Sequence, residues 1–300
     1  MSAISDVRRS HGVGTRLRLG VLKTRFLVYD AFTAMFARRY LLITFLPVYR
    51  DAQGGMWLER LWHRDFEAHL RYLKDVTLAA PQMPASEAPP SEHIVELVVP
   101  DGHRLNLCEL PRQASAREGV IALPALVSAL WHAIGDTEIV HSNIVGWPYA
   151  LGWVANPIAF LRKKSLVIVV ESAPWRITDK KRASIKQRVR SELSERLGRF
   201  FINRADLSVF MHPGYKESLF TKGKGKALVV PATWIDERDV LDEQDAARAW
   251  EKKASEPPRF LFAGRLVPAK GVDVLLEALA KLEASGASVN VDIIGAGEMH

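Results

Sequence analysis

The chain has a single cysteine among 300 residues. Cys108 therefore has no partner for an intramolecular disulfide, and a four-cysteine zinc site is ruled out. One thiol fits a reducing compartment, so a cytoplasmic setting is expected. No Asp-x-Asp pair occurs; no metal-bridged diphosphate site is suggested, and no metal cofactor is expected. No Gly-x-Gly-x-x-Gly follows an apolar run, although Gly295-Ala-Gly297 comes near, which argues against a nicotinamide-dependent oxidoreductase. A secretory leader is not read either: residues 26–37 are interrupted by Asp30 and show no cleavage site. Residues 139–161 lack Asp, Glu, Lys and Arg, yet hold His141, Ser142, Asn143, Asn156, Pro148 and Pro157. Those residues read as strand, loop and buried helix rather than a membrane span. Residues 119–135 are also uncharged but too short to be read as a span.

What is present is average for a globular protein: 48% hydrophobic and 25% charged residues. The length favours two domains. The net charge of +7 is concentrated in residues 1–40, where eight Arg and Lys face two Asp. Such an end implies an anionic partner, or else a solvated basic tail. Of the anionic partners, nucleic acid finds no recognised motif, which leaves a membrane surface as the expectation.

Apolar periodicity then sets out an alternating chain. Residues 41–47 read as a buried strand and 51–55 as a turn. Trp62, Phe66, Leu70 and Leu73 mark a helix over 56–74. Residues 76–80 form the next strand, and the prolines of 81–92 a loop. Strands follow at 138–142, 166–170, 207–211 and 227–230, with helices at 147–162 and 180–204. Residues 236–258 are an acidic helix and linker. A strand at 259–265, a helix face through Val272, Leu275, Leu276, Leu279 and Leu282, and a strand at 289–294 come last. Strand–helix alternation predicts βαβ units and parallel sheets. The expected organisation is a basic segment 1–39, a Rossmann-like domain 40–235, a linker 236–258, and residues 259–300 as the start of a second Rossmann-like domain. Two strands and one helix bury too little to stand alone, so they either dock onto the first domain or, as expected here, begin a second domain that is incomplete.

The string Phe262-Ala-Gly264-Arg265-Leu-Val-Pro-Ala-Lys270-Gly271 joins a strand to a helix. Arg265 leaves the strand and Lys270 stands where the helix begins. Gly264 and Gly271 allow close approach of the backbone. Two cations at a helix N-terminus suit a diphosphate. Two solvated cations on a turn is the plainer alternative.

This string resembles the start of the donor-binding domain of glycosyltransferase family 4, retaining enzymes with the GT-B fold. Three weaker matches accompany it: Gly54-Gly55 after a strand, Ile139-Val-His141 at a strand end, and Ile293-Ile-Gly295-Ala-Gly297-Glu298. The resemblance implies an α/β chain with a GT-B-like pair of Rossmann-like domains. It implies that Arg265 and Lys270 bind the diphosphate of a nucleotide-sugar donor and neutralise the leaving group. Gly54, Gly55, Gly264, Gly295 and Gly297 would line the donor. His141 would position hydroxyls, against the alternative of a satisfied core histidine. Gly54 and Gly55 also fit an ordinary strand–helix turn. The chain departs from the family at Asn143, at 231–236 and at His212-Pro213, and the family's paired glutamates would lie beyond residue 300. The activity implied is retaining transfer of a sugar to a glycan or lipid-linked acceptor, in polysaccharide or glycolipid biosynthesis, at the cytoplasmic face of a membrane. A catalytically degenerate membrane scaffold of the same fold is the alternative.

Overall fold

The computed structural model describes residues 38–146, 148–177, 183–231, 240–254, 259–287 and 289–297. The chain divides into two compact units, 1–232 and 233–300. In the first, strands β1 (Tyr40–Ile43), β4 (Asp75–Pro84), β6 (Arg104–Leu110), β7 (Ile139–Asn143), β8 (Ser165–Val170), β9 (Leu207–Phe210) and β10 (Lys226–Val229) run parallel in the order β6-β4-β1-β7-β8-β9-β10. The chain winds from β1 outward to β4 and β6, then returns to β7 on the other side of β1. This is a doubly wound, Rossmann-like sheet with its switch point between β1 and β7. Short strands β2 (Val48–Arg50), β3 (Met56–Glu59) and β5 (Ile94–Glu96) extend it from the far half of β4.

Side chains alternate across the sheet and feed two cores. Tyr40, Leu42, Val76, Leu78 and Ile139 pack against Trp62, Phe66 and Leu70 of helix α1 (Arg60–Leu70). Leu41, Ile43, Val140, Leu166, Ile168 and Phe210 point the other way. They meet helices α2 (Ala116–Gly135), α3 (Gly152–Leu161), α4 (Ile185–Ile202) and α5 (Pro213–Leu219).

Several expectations are corrected. The helix expected over 56–74 yields its first four residues to β3, because Asp51 closes a β2–β3 hairpin. The run expected over 41–47 ends at Ile43. Strand β4 continues through Pro81 and Pro84, which pair with Leu110 and Arg50, so the supposed loop begins later. Residues 119–135 belong to α2, capped at Ser115, whose Oγ accepts from the Glu118 N–H at 3.2 Å. Among the described residues α2 is the one helix long and apolar enough to cross a membrane, but Leu126, Leu130 and Ile134 bury one side of it in the core.

The second unit holds α6 (Glu243–Ala254), β11 (Arg259–Ala263), α7 (Val272–Ala284) and β12 (Asn290–Ile294). β11 and β12 are parallel and joined through α7, one βαβ unit. Phe260, Leu261 and Ile294 of this two-stranded sheet stay exposed.

Gly152, the first residue of α3, is packed on the end of β7. A Cβ there would overlap the Asn143 carbonyl oxygen, which belongs to backbone and cannot swing aside. Gly152→Ala is therefore expected to lower stability by about 1–3 kcal/mol. The urea unfolding midpoint reads it, and an unchanged midpoint would contradict the contact.

Candidate functional site

Each unit carries one candidate site. In the first, a cavity of about 740 Å³ opens where β1, β7 and β8 end. This is the C-terminal edge beside the switch point, where open α/β sheets leave a crevice. Phe45 follows β1, residues 144–146 follow β7, and residues 174–177 follow β8; Tyr149 and Trp153 add aromatic wall. Gln187, Arg190, Ser191 and Ser194 of α4 complete it.

One carboxylate orients that wall. Glu195 accepts from Trp175 Nε1 at 2.8 Å and from Arg176 through Nε at 3.0 Å and Nη2 at 2.8 Å. Arg199, one turn on, also bridges to it at 3.0 Å. Burial pushes the Glu195 carboxyl up, but hydrogen bonds from Arg176, Trp175 and Arg199 outweigh it and hold the pKa below the usual range. The loop after β8 is thereby fastened to α4, and Trp175 lines the cavity. Planar aromatic faces and hydroxyl and amide groups are the chemistry that receives a polyhydroxyl ligand. Of the tryptophans, Trp153 and Trp175 line this cavity, though the sequence alone marks none of them as a site. Trp147 and Trp234 lie outside the described residues. Glu195, Arg176 and Tyr149 were not singled out by sequence; an Arg-aromatic loop with a Glu on the next helix has no fixed spacing to flag it.

His141 does not line the cavity. It sits third of five residues in β7, in register with Leu42 and Val167, rather than at the strand's end. Its Nδ1 is 2.9 Å from Tyr40 Oη, and its ring lies 5.8 Å from that of His69. Burial, reinforced by His69, lowers its pKa to about 3. Burial likewise raises the Tyr40 phenol. The pair is neutral at physiological pH. His141 thus carries no charge to a leaving group, and only Nε2 remains for a hydroxyl. Glu171, just past β8, has its carboxyl pushed up by burial and by Asp65.

Gly54 and Gly55 occupy the β2–β3 hairpin turn, not a strand–helix turn after β1. Asp51 Oδ1 accepts from the N–H groups of Gln53 at 3.0 Å and Gly55 at 2.7 Å, and Trp57 Nε1 donates to Oδ2 at 3.0 Å. Gly54, with φ +89°, supplies the left-handed step. The glycines thus serve a local Asx turn.

In the second unit the expected residues converge. Arg265 follows β11 directly after Gly264, and Lys270 ends a 3₁₀ turn, Pro268–Lys270. Both side chains are exposed. Gly271, φ +71°, caps α7, whose first turn follows. Gly295 and Gly297 follow β12 and lie against the β11 exit: Gly264 N–H donates to the Ile294 carbonyl at 3.0 Å and Leu266 N–H to the Ala296 carbonyl at 2.9 Å. A Cβ on Gly295 would overlap the Gly264 carbonyl oxygen, and one on Gly297 the Leu266 backbone. The two glycine positions therefore shape the loop that carries Arg265. Cations, a helix N-terminus and close backbone meet on one edge of this βαβ unit, an arrangement fit for a phosphate-bearing ligand. No group of three His, Cys, Asp or Glu among the described residues could hold a metal ion.

Residues 243–300 match the family described as glycosyl transferases group 1. The matched segment contains Gly264, Arg265, Lys270, Gly295 and Gly297, and stops short of the first unit's strands. No curated protein matches the chain. Among solved structures, sucrose-phosphate synthase from Thermosynechococcus elongatus is similar at 16% identity and a TM-score of 0.49, over 86% of this chain and 62% of that one. The S. aureus MnaA-UDP co-structure is similar at 12% identity and a TM-score of 0.39, over 85% of this chain and 62% of that one. The chain thus spans about 62% of the length of each of these two.

The His141 environment has a measurable consequence. Between its ordinary value of 6.5 and the folded value of about 3, the unfolded chain binds a proton that the folded chain refuses. Stability should therefore fall as pH drops through this window, by at most about 1.4 kcal/mol per pH unit from this group. His141→Gln should flatten that slope relative to the parent in urea unfolding from pH 7 to pH 4. Parallel curves would show that His141 is not held neutral.

Proposed function

We propose that the chain is part of a retaining glycosyltransferase. It moves a sugar from a nucleotide-diphosphate sugar to a glycan or lipid-linked acceptor, in polysaccharide or glycolipid assembly on the cytoplasmic side of a membrane. The observation that carries this reading is the glycosyl transferase match over residues 243–300 together with Arg265 and Lys270 at the start of α7. The first-unit cavity, with Trp153, Trp175 and Tyr149 beside Gln187 and Ser191, is where the acceptor would lie.

The reaction needs few protein groups. The acceptor hydroxyl oxygen forms a bond to the anomeric carbon on the face from which the diphosphate departs. The carbon–oxygen bond to phosphate breaks, and its electron pair leaves with the diphosphate. The released phosphate oxygen takes the acceptor's proton. Negative charge builds on the diphosphate, and fixed cations at a helix N-terminus stabilise that charge most where it is greatest. Arg265 offers a planar fork for two oxygens, and Lys270 a point charge. His141, neutral and bonded to Tyr40, is left a hydrogen-bonding role at Nε2 only.

A degenerate scaffold of the same fold would bind labelled nucleotide sugar without turning it over. In the full-length enzyme, Arg265→Ala and Lys270→Ala should each lower transfer by roughly 10²-fold or more, with unfolding midpoints unchanged because both side chains are exposed. Near-normal turnover in both variants would remove the diphosphate assignment. Binding without turnover in the unmodified enzyme would favour the scaffold.

A further inference from the structure

Helices α2, α3 and α4 pack on one side of the first unit's sheet, and their outer sides form one surface layer. The exposed side of α2 is mostly apolar where a soluble surface helix is normally polar, with Arg117, Glu118, Ser128 and His132 as its exposed polar residues. Val120, Pro124, Val127 and Trp131 follow one another at i, i+4, i+7 and i+11, one stripe three turns long. Val120 is 69% exposed, Val127 40% and Trp131 41%. No charged side chain interrupts residues 119–135. A second stripe runs along α4, where Ile185 is 80% exposed and Val189 62%, with Leu193 and Phe200 continuing it. The N-terminal ends of the two helices approach each other. Tyr149 Oη donates to the Gly119 carbonyl of α2 at 2.9 Å, and Arg190 of α4 donates to the neighbouring Pro148 carbonyl at 3.3 Å.

Cations border the stripes. Arg162, at the end of α3, holds its guanidinium 4.1 Å from the Trp131 ring, and Lys163 follows it. Arg117 stands in the first turn of α2. Helix α4 carries five Arg and Lys against two Glu, and both Glu are engaged by arginines: Glu192 by Arg196, and Glu195 by Arg176 and Arg199. An apolar stripe with a tryptophan and a positively charged border matches the layered chemistry of a bilayer interface: acyl chains inward, anionic headgroups outward.

We propose that the outward faces of α2 and α4 are the surface by which this unit docks on an anionic lipid bilayer, with α2 lying flat in the headgroup layer. The cavity stands beside the docked surface: Gln187 and Arg190 in the first turns of α4 line it, and Tyr149, which also lines it, is hydrogen-bonded to the start of α2. Its position suits an acceptor whose lipid tail stays in the membrane. This last point rests on the transfer reading above; the docking itself does not.

The test is co-sedimentation of the full chain with vesicles of neutral phosphatidylcholine, and of phosphatidylcholine with phosphatidylglycerol, at low and high salt. The expected result is binding that needs phosphatidylglycerol and weakens with salt. Val120→Glu with Val127→Glu, and separately Ile185→Glu with Val189→Glu, should each weaken it about tenfold or more. Charge reversal by Lys163→Glu with Lys186→Glu serves as a second arm should a glutamate pair unfold the protein. Equal recovery in the supernatant with both vesicle types overturns the proposal. So does parental binding by all these variants, which would place the lipid contact elsewhere, for example in residues 1–37. A parent dimer that the same variants convert to monomer also overturns it, by showing that a second copy covers the face. Sugar transfer to a soluble acceptor is measured in parallel. Transfer without vesicle binding sinks the docking and leaves the transferase; vesicle binding without transfer does the reverse.

Discussion

Four residues, Tyr40–Ile43, hold the first unit together. They form β1, buried on both faces and flanked by parallel neighbours on both edges. Leu41 and Ile43 belong to one core, Tyr40 and Leu42 to the other. The chain leaves β1 in one direction through α1 and comes back on the other side through α2. Helices therefore diverge above the strand ends at this point, and backbone there is left uncovered. The cavity lies at that divergence because the winding has to reverse somewhere, and β1 is where it does.

The surroundings of the cavity show how such a gap is kept. Gly152 lets α3 seat directly on the end of β7, and the Ser142 hydroxyl donates to Asn156 Oδ1 at 2.5 Å to fix that seat in the buried layer. Glu195 then fastens the β8 loop to α4 through two loop side chains, Trp175 and Arg176, while Arg199 of α4 itself also holds it. On the opposite face, Tyr40 and His141 close the inner edge of the other core with a neutral hydrogen bond. Polar groups here are spent on geometry rather than on proton transfer.

Most of the parallel sheet was legible in the sequence. The runs at 76–80, 138–142, 166–170, 207–211 and 227–230 each fall on a strand to within one residue at an end, because a fully buried parallel strand is a continuous apolar run. The helical spacing of Trp62, Phe66 and Leu70 was equally readable. The errors have local causes. Met56–Glu59 satisfies a strand as well as a helix start, and the hairpin closed by Asp51 decides the matter. Pro81 and Pro84 sit within β4 because proline removes only its own N–H from the ladder. At the candidate sites, residues adjacent in sequence were readable, as with Arg265, Lys270 and Gly271. The Glu195 network was not, since it joins a loop to the middle of the following helix. His141 was marked by its expected place at a strand end, but its partner Tyr40 lies 101 positions away.

Helix α2 is the largest element the sequence reading passed over, and the reason is physical. Amphipathic helices announce themselves by contrast between a core-facing stripe and a polar one. Here Leu126, Leu130 and Ile134 face the core while Val120, Val127 and Trp131 face outward, so the contrast vanishes and the segment reads as a short uncharged run. Exposed apolar side chains over three turns cost solubility and contribute nothing to the core, whose inner stripe is already complete. Such a surface persists on a soluble fold when something apolar covers it in use. The missing periodicity and the proposed lipid contact would then have one cause: α2 presents apolar side chains both to the sheet and outward.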